Sequence, residues 1–378
     1  MIGDFPRSTK EIAGGVESVM LYLTRDLSRC SEFEIDVVTI DRWNLGDRLI
    51  ESDGFKVHYL AQSPLRGPAW RLHNIHRMRS YIKGLAPDIA HVHVAGLCSD
   101  AVRKTGIPWV LTLHGVRFLE AQLLRGPGDR SYRRWLITRE EQRGVREAPI
   151  LISISPFIEE TFKDQIRGQV FRIENPIDDQ FFDLEQENEP FSLLYLGRLT
   201  PRKDIMTLLR AFRRVLKSRP RAKLRLLGAC DPVDPLDYCQ QLHDYAEKHS
   251  LMDNLEFAGG VDEPRVLKEC SRASVVVLSA VLETAPMAIM QSLAAGTAVV
   301  TSDAGGCRYL VDDGKSGRVV PQRDPVSLAN AIIDVFGPDG RALEMGTYGR
   351  TVAEDRFRVR RATERTLSVY HTALEQQT

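Results

Sequence analysis

The feature that most constrains the fold is a set of short runs that are apolar at nearly every position. "FSLLYLG" (191–197), "ASVVVLS" (273–279) and "TAVVTS" (297–302) are of this kind. A strand with one wet face alternates apolar and polar residues, whereas a strand covered on both faces does not. Such strands belong to parallel sheets flanked by helices. Related runs recur along the chain: "FEIDVVTI" (33–40), "DIAHVHV" (88–94), "PWVLTLHG" (108–115), "APILISIS" (148–155), "AKLRLLG" (222–228) and "NLEFAGG" (254–260). Between them lie amphipathic stretches such as "GVESVMLYLTRDLSR", whose apolar spacing of three and four residues predicts helix. The expectation is an α/β protein built as two Rossmann-like, doubly wound domains. They would face a cleft at the carboxyl ends of their strands, where ligands of open α/β sheets usually bind.

A chain of 378 residues is long for one core. The seam is expected in the acidic, proline-containing stretch at 183–190, which has no periodicity and reads as a linker. That gives domains at 1–185 and 186–378. The helical, polar tail from about 355 to 378 is expected to cross back to the first domain. The opening "MIGDFP" is turn-like by its fourth residue. A first strand there is two or three residues long: either the chain lacks an upstream strand or the fold has a stunted one.

Lysine plus arginine equals aspartate plus glutamate at 51 each, so bulk nucleic-acid binding finds no support. The six cysteines are scattered with no CxxC pair. This fits a reducing, cytoplasmic setting and free buried thiols better than disulfides or zinc. The longest apolar run, near 273–282, is about half the ~20 residues that span a bilayer.

Two stretches carry chemistry. In "YLGRLTPRKDIMTLLRAF" a strand ends at Gly197, Arg198 follows, and Lys203 opens a helix. Two cations beside exposed helix-start amides suit a diphosphate; as isolated residues they are equally solvated loop charges. In "LSAVLETAPMAIMQSLAAG" a buried strand ends at Ser279, Glu283 lies in the loop, and a helix starts near Pro286. Pro is favoured in a first helical turn. Glu283 is placed to accept hydrogen bonds from sugar hydroxyls, the amides of Thr284, Ala285, Pro286 and Met287 form the helix mouth, and Gln291 lies further along the same face. His91 and His93 alternate on "HVHV" and so share one side. A metal site there is not expected, because no third ligand follows at fixed spacing.

Together these motifs resemble the retaining glycosyltransferases of group 1, the family 4 type with the GT-B fold. That family's GR…K motif is matched by Gly197-Arg198 and Lys203. Its Glu-x7-Glu motif with a small-residue run is matched by Glu283…Gln291 and "LAAGTAVV". "GGVES" (Gly14–Ser18) is similar to its glycine-rich loop, "TLHG" with His114 to its active-site histidine segment, and "TSDAGGCRYLVDDGKSG" to its "GG…E…G…G" segment. The match covers nearly the whole chain in the right order. The resemblance implies transfer of a hexosyl or related group from a nucleotide-sugar donor, UDP- or GDP-linked, to a sugar or lipid-linked sugar acceptor, in polysaccharide or glycoconjugate synthesis. It implies that Arg198 and Lys203 hold the donor diphosphate. Glu283 would contact the sugar, residues 284–287 would support sugar and phosphate, and position 291 would bind the ribose. Gly14 and Gly15 would let a loop approach the substrate, and His114 would line the reaction centre. No metal or other cofactor is implied.

Three departures stand out: Gln291 replaces the second Glu, Asn175-Pro176 replaces an Asn-Gly turn, and Tyr309 stands where Glu is common. Gln291 and the short start leave open a catalytically silent nucleotide-sugar-binding partner of an active transferase; a nucleotide-sugar isomerase of the same fold is a second alternative. Residues 66–146 hold 15 Lys/Arg against 6 Asp/Glu. "WRLHNIHRMRSYIKG" and "RSYRRWLITREEQR" interleave cations with apolar residues. Either these helices lie against an anionic membrane face or they pack an apolar stripe on the core.

Overall fold

The computed structural model describes residues 1–7, 14–41, 46–123, 131–230, 237–337 and 341–376. In chain order the first half contains α1 (Gly15–Ser28), β1 (Ile35–Asp41), β2 (Arg48–Ser52), β3 (Phe55–Ala61), α2 (Gly67–Leu85), β4 (Ala90–Val92), α3 (Leu97–Val102), β5 (Trp109–Leu113), α4 (Arg117–Leu123), α5 (Ser131–Glu147), β6 (Ile150–Ser153), α6 (Pro156–Phe162) and β7 (Gln169–Arg172). The second half contains β8 (Ser192–Leu196), α7 (Ile205–Ser218), β9 (Lys223–Leu227), α8 (Tyr238–Lys248), β10 (Leu255–Gly259), α9 (Glu263–Arg272), β11 (Val275–Leu278), α10 (Met287–Ala295), β12 (Ala298–Ser302), β13 (Gly317–Val320), α11 (Pro325–Val335), α12 (Arg341–Arg356) and α13 (Val359–Glu375). All the strand runs singled out from sequence are strands. β2, β3, β7 and β13 were not: β2 and β7 expose much of their length, so neither carries the continuous apolar signature.

The chain forms two compact units. One holds the described residues of Met1–Gln122, Gly128–Pro176 and Val359–Thr378; the other holds Ile177–Arg358. The stretch 183–190, read as a linker, is tied to the second unit. The amide of Glu189 donates to the Arg272 carbonyl oxygen at 2.8 Å, and the carboxylate of Glu189 accepts from Arg225 at 2.9 Å.

In the first unit β1, β3 and β2 form one run of strands, with only β2 antiparallel, and β4, β5, β6 and β7 form another. Ile2 joins them by parallel bridges to Val38 and Val92. Its amide donates to the His91 carbonyl oxygen at 2.8 Å, and its own carbonyl oxygen accepts from His93 at 2.9 Å. The bridge at Ile2 thus lies between β1 and β4, at the centre of the sheet. α13 belongs to this unit: Ala362, Val369 and Ala373, one stripe at helical spacing, bury against Val110, Ile150 and Ile152 of the sheet.

The second unit is a six-stranded parallel sheet in the order β10-β9-β8-β11-β12-β13. The order reverses between β8 and β11. In open α/β sheets the ends of the strands that flank such a reversal are where ligands bind.

Free thiols are the expectation for all six cysteines, and one pair corrects it. Cys230 and Cys239 form a disulfide, with Cα atoms 6.1 Å apart. The two are nine residues apart, a spacing that no CxxC-type pattern would flag. Cys270 and Cys307 are buried free thiols, and burial pushes both up to about 12.

Candidate active site

The loop after β8 is built by close approach of backbone. Gly197 has φ +137°, a conformation that side chains rarely adopt. A Cβ on neighbouring Gly228 would lie 1.8 Å from the Gly197 carbonyl oxygen. Only glycine fits there, and the loop is pinned further by the bond from the Leu199 amide to the Ala229 carbonyl oxygen, 3.0 Å. Buried Tyr195 donates its hydroxyl to the Arg198 carbonyl oxygen at 3.0 Å. The chain then makes one 3-10 turn, Pro201–Lys203, and enters α7 through Asp204 in the left-handed region.

This turn delivers two cations to one carboxylate. Glu283 is 7 % exposed. Its Oε1 accepts from Lys203 Nζ at 2.6 Å and from Arg202 Nη1 at 3.0 Å. Arg202 Nη1 also donates to the Leu282 carbonyl oxygen at 2.8 Å, and the Arg202 carbonyl oxygen accepts from the Val281 amide at 2.9 Å. The two loops at the sheet reversal are therefore stitched together by backbone and by charge. A buried carboxylate is tolerated because it is paired. Its charge is felt nearby: after burial itself, Glu283 is the next cause that raises the Cys307 thiol and the Tyr195 hydroxyl.

α10 begins one residue later than expected. Pro286 is its N-cap, in extended geometry, and Met287 is the first helical residue. The amides of Thr284, Ala285 and Met287 donate no hydrogen bond to another described residue. Orphan donors at a helix start favour an anion. The Glu283 carbonyl oxygen accepts from Gly306 at 2.8 Å, which brings the 3-10 turn Gly305–Tyr309 against the same loop. Met287 and Gln291, four residues apart and so on one face, are the partly exposed positions of the segment 287–291; Ala288, Ile289 and Met290 are buried.

The other predicted residues lie in the first unit. Gly14 is the extended N-cap of α1 and Gly15 its first residue; residues 8–13 fall outside the described residues. His114 follows β5. Its Nε2 is 2.9 Å from Nδ1 of His93, and the rings lie edge to edge and nearly parallel, with 5.2 Å between centroids and 8° between planes. Burial pushes His114 down to about 4, opposed by the Asn175 side chain. His93 is driven well below the ordinary range by burial and then by its histidine neighbours. His91 is buried too and holds Tyr370 Oη and Thr112 Oγ1, each at 2.7 Å.

Two family models match this chain. The model for glycosyl transferases group 1 covers residues 176–352, and that for glycosyltransferase family 4 covers residues 13–181. The chain belongs to the group 1 glycosyltransferases, of the family 4 type. It is 27% identical over 296 residues to a glycogen synthase of Mycobacterium tuberculosis, spanning 76% of this chain and 69% of that one. It is 27% identical over 164 residues to a D-inositol 3-phosphate glycosyltransferase of Catenulispora acidiphila, 41% of this chain and 37% of that one. Among solved structures, sucrose-phosphate synthase from Thermosynechococcus elongatus superposes with TM-score 0.82 at 21% identity, covering 96% and 94% of the two chains. HepE from Anabaena, solved with UDP and glucose, gives 0.78 at 16% identity, covering 98% of each. These are GT-B proteins, and the two Rossmann-like units are that fold.

Within this glycosyltransferase, the structure brings Lys203 and Glu283 into contact and places Gly197 on the adjoining loop. The Arg198 side chain is exposed and, among the described residues, forms no ion pair with a carboxylate. Arg202 is a residue that sequence reasoning missed. A signal existed: it is a second cation beside Lys203 in the same short turn. His93, read only as half of an improbable metal pair, and Asn175, read only as a departure from a turn motif, are the neighbours of His114. Among the described residues no group of three or more His, Cys, Asp or Glu could hold a metal.

The basic helices of the glycosyltransferase spend much of their charge internally. Asp100, 3 % exposed, accepts from Arg71, from Arg103 at 2.9 Å and from Arg143 at 2.6 Å. Ile75, Met78 and Ile82 of α2 are buried, while Leu72, Tyr132 and Trp135 are exposed. Among the described residues no helix is long and apolar enough to cross a membrane.

Proposed function

We propose that this glycosyltransferase moves a hexosyl or related group from a nucleotide sugar to a hydroxyl of a sugar or lipid-linked sugar acceptor, with retention of anomeric configuration. Its setting would be polysaccharide or glycoconjugate synthesis in the cytoplasm. One observation carries the reading: Glu283 held by Lys203 and Arg202 at the sheet reversal, beside the orphan amides of α10. A donor diphosphate brings negative charge to this turn. Lys203, Arg202 and exposed Arg198 meet it, and Glu283, released from its cations, accepts from sugar hydroxyls. The same cations stabilise the charge that builds on the departing nucleotide diphosphate. This does the work that a divalent ion does elsewhere, so the reading calls for no metal or other cofactor.

Gln291 favours a second reading, a catalytically silent nucleotide-sugar-binding partner. A neutral amide keeps hydrogen bonds to a ribose diol but loses their charge-assisted part. Incubation with UDP-, GDP- and ADP-sugars, with and without sugar acceptors, separates the readings by following nucleotide release. UDP-glucose is the first probe, since HepE was solved with it. Nucleotide release with a sugar-extended product is expected. Thermal stabilisation by a nucleotide without turnover selects the silent partner, and epimerised donor without release selects an isomerase. Neither binding nor turnover with any donor removes the proposal. The acceptor arm should include lipid-linked sugars in anionic vesicles, where cosedimentation reads peripheral membrane contact through residues 66–146.

A further inference from the structure

The disulfide of the second unit takes no part in the chemistry described so far, yet it sits on the loop that does. Cys230 follows β9, and Cys239 lies in the first turn of α8. Cys230 pairs with Leu199 through a parallel bridge, and the Leu199 amide donates to the Ala229 carbonyl oxygen at 3.0 Å. Cys239 Sγ lies 4.0 Å from the Leu199 carbonyl oxygen. Tyr238, beside it on α8, accepts at its hydroxyl oxygen from the Met206 amide at 3.0 Å. The first turn of α8 therefore touches the segment 199–206 at both ends. Between those ends lie Arg202 and Lys203, the two cations on Glu283.

Two features separate this bond from a structural staple. It joins residues only nine apart, and a disulfide constrains the unfolded chain less as its loop shortens. Its effect is local. It is also within reach of solvent: Cys230 is exposed and Cys239 partly so, whereas Cys270 and Cys307 are buried thiols. Exposed disulfides are among the readily reduced ones. In the cytoplasmic setting proposed above, a disulfide is rare and usually transient or redox-sensing. We propose that the Cys230–Cys239 pair is a redox clamp on the loop after β8: closed, it holds residues 199–206 in the shape that receives a donor diphosphate, and reduced, it frees that loop and weakens donor binding.

The exchange balances with a dithiol as reductant. A thiolate of the dithiol attacks Cys230 Sγ, the S–S bond breaks, and Cys239 leaves as a thiolate that takes up a proton. The reductant's second thiolate attacks the mixed disulfide, closes its own disulfide and releases Cys230, which is protonated in turn. Two electrons and two protons pass to the protein. A small-molecule disulfide such as oxidised glutathione reverses both steps. Reduction leaves Cys239 a weak S–H donor near the Leu199 oxygen, but the covalent tie between α8 and the end of β9 is gone. The loop must then be ordered as the donor binds, which costs affinity. The turnover rate changes little, because Arg202 and Lys203 reach the same places once the diphosphate is bound.

The effect on donor affinity rests on the transferase reading above; the clamp itself does not. The test uses the full chain in two forms, treated with dithiothreitol or with oxidised glutathione. Alkylation and mass spectrometry assign the state of Cys230 and Cys239. Hydrogen exchange over residues 196–206 and titration with UDP, GDP and ADP are measured on each form. In the reduced form the Leu199 and Met206 amides should exchange faster. The tightest of the three nucleotides should bind about fivefold more weakly, with kcat for the working donor within about twofold. Oxidation should restore both. Cys239→Ser should match the reduced form and ignore either reagent, and Cys230→Ser serves if that variant does not fold. Equal exchange in the two forms overturns the proposal. So does equal nucleotide affinity, a response that survives in Cys239→Ser, or a pair that stays as thiols in oxidised glutathione. If exchange follows the redox state but no nucleotide binds either form, the donor reading fails while the clamp on the loop stands.

Discussion

The two units carry opposite kinds of chemistry at corresponding places. In the second, the loops at the sheet reversal bring together Lys203, Arg202 and Glu283, three charges that neutralise one another only in part. In the first, the strand ends after β4 and β5 bring together His93 and His114, both held neutral by burial. The difference teaches what each is suited to hold. Cations around one carboxylate can re-pair when a polyanion arrives. Neutral rings locked by neighbours cannot, and they suit an uncharged ligand such as a sugar.

The largest expected effect breaks the charged half. Arg198→Ala combined with Lys203→Ala should lower kcat/KM by about a thousandfold, the scale of lost charge stabilisation in a transition state. The far-ultraviolet circular dichroism should not change. Retained activity in this double variant would remove the role given to those cations.

A smaller effect probes the neutral half through pH. His114 has a folded pKa of about 4 against 6.5 in the unfolded chain. Its contribution to stability is complete above pH 6.5 and is lost as pH falls through that window, because the unfolded chain binds the proton first. His91 and His93 act in the same direction. Glu141 runs the other way. Burial raises it from 4.5 to about 7 although it accepts from the amides of Arg117 and Phe118. Its contribution is present below pH 4.5 and is lost as pH rises through 7. The Tm should therefore fall between pH 7 and 5, and fall more steeply in Glu141→Gln, which lacks the opposing slope. Parallel curves for wild type and variant would contradict this balance.

The smallest effect sharpens the comparison at one position. Gln291→Glu should tighten donor binding severalfold, about 1 kcal/mol, by restoring a charge-assisted bond to the ribose. Isothermal titration with the nucleotide reads it. No change in affinity means that this face of α10 meets no ribose.

Much of the second unit was legible in the residues. Strands apolar on both faces announced a parallel sheet, and Gly197, Lys203 and Glu283 stood where such a sheet turns into loops. The first unit was less legible: β2, β3 and β7 were not read, and β2 and β7 expose most of their length. Short or wet strands leave no periodic signal, because packing from neighbours stabilises them rather than their own pattern.

The sequence by itself determined the alternation, the family and the loop motifs that follow the strands, because hydrophobic period and local turn chemistry are written in consecutive residues. Tertiary structure alone decided the partners. Arg202 reaches across 81 positions to Glu283, and His91 across 279 to Tyr370. Cys230 meets Cys239 across nine positions. His114 meets His93 because β4 and β5 lie side by side in register. Which nitrogen holds a proton, and which cation a carboxylate chooses, depends on burial and on distances of 2.6–3.0 Å. Those distances exist only after the sheets have closed.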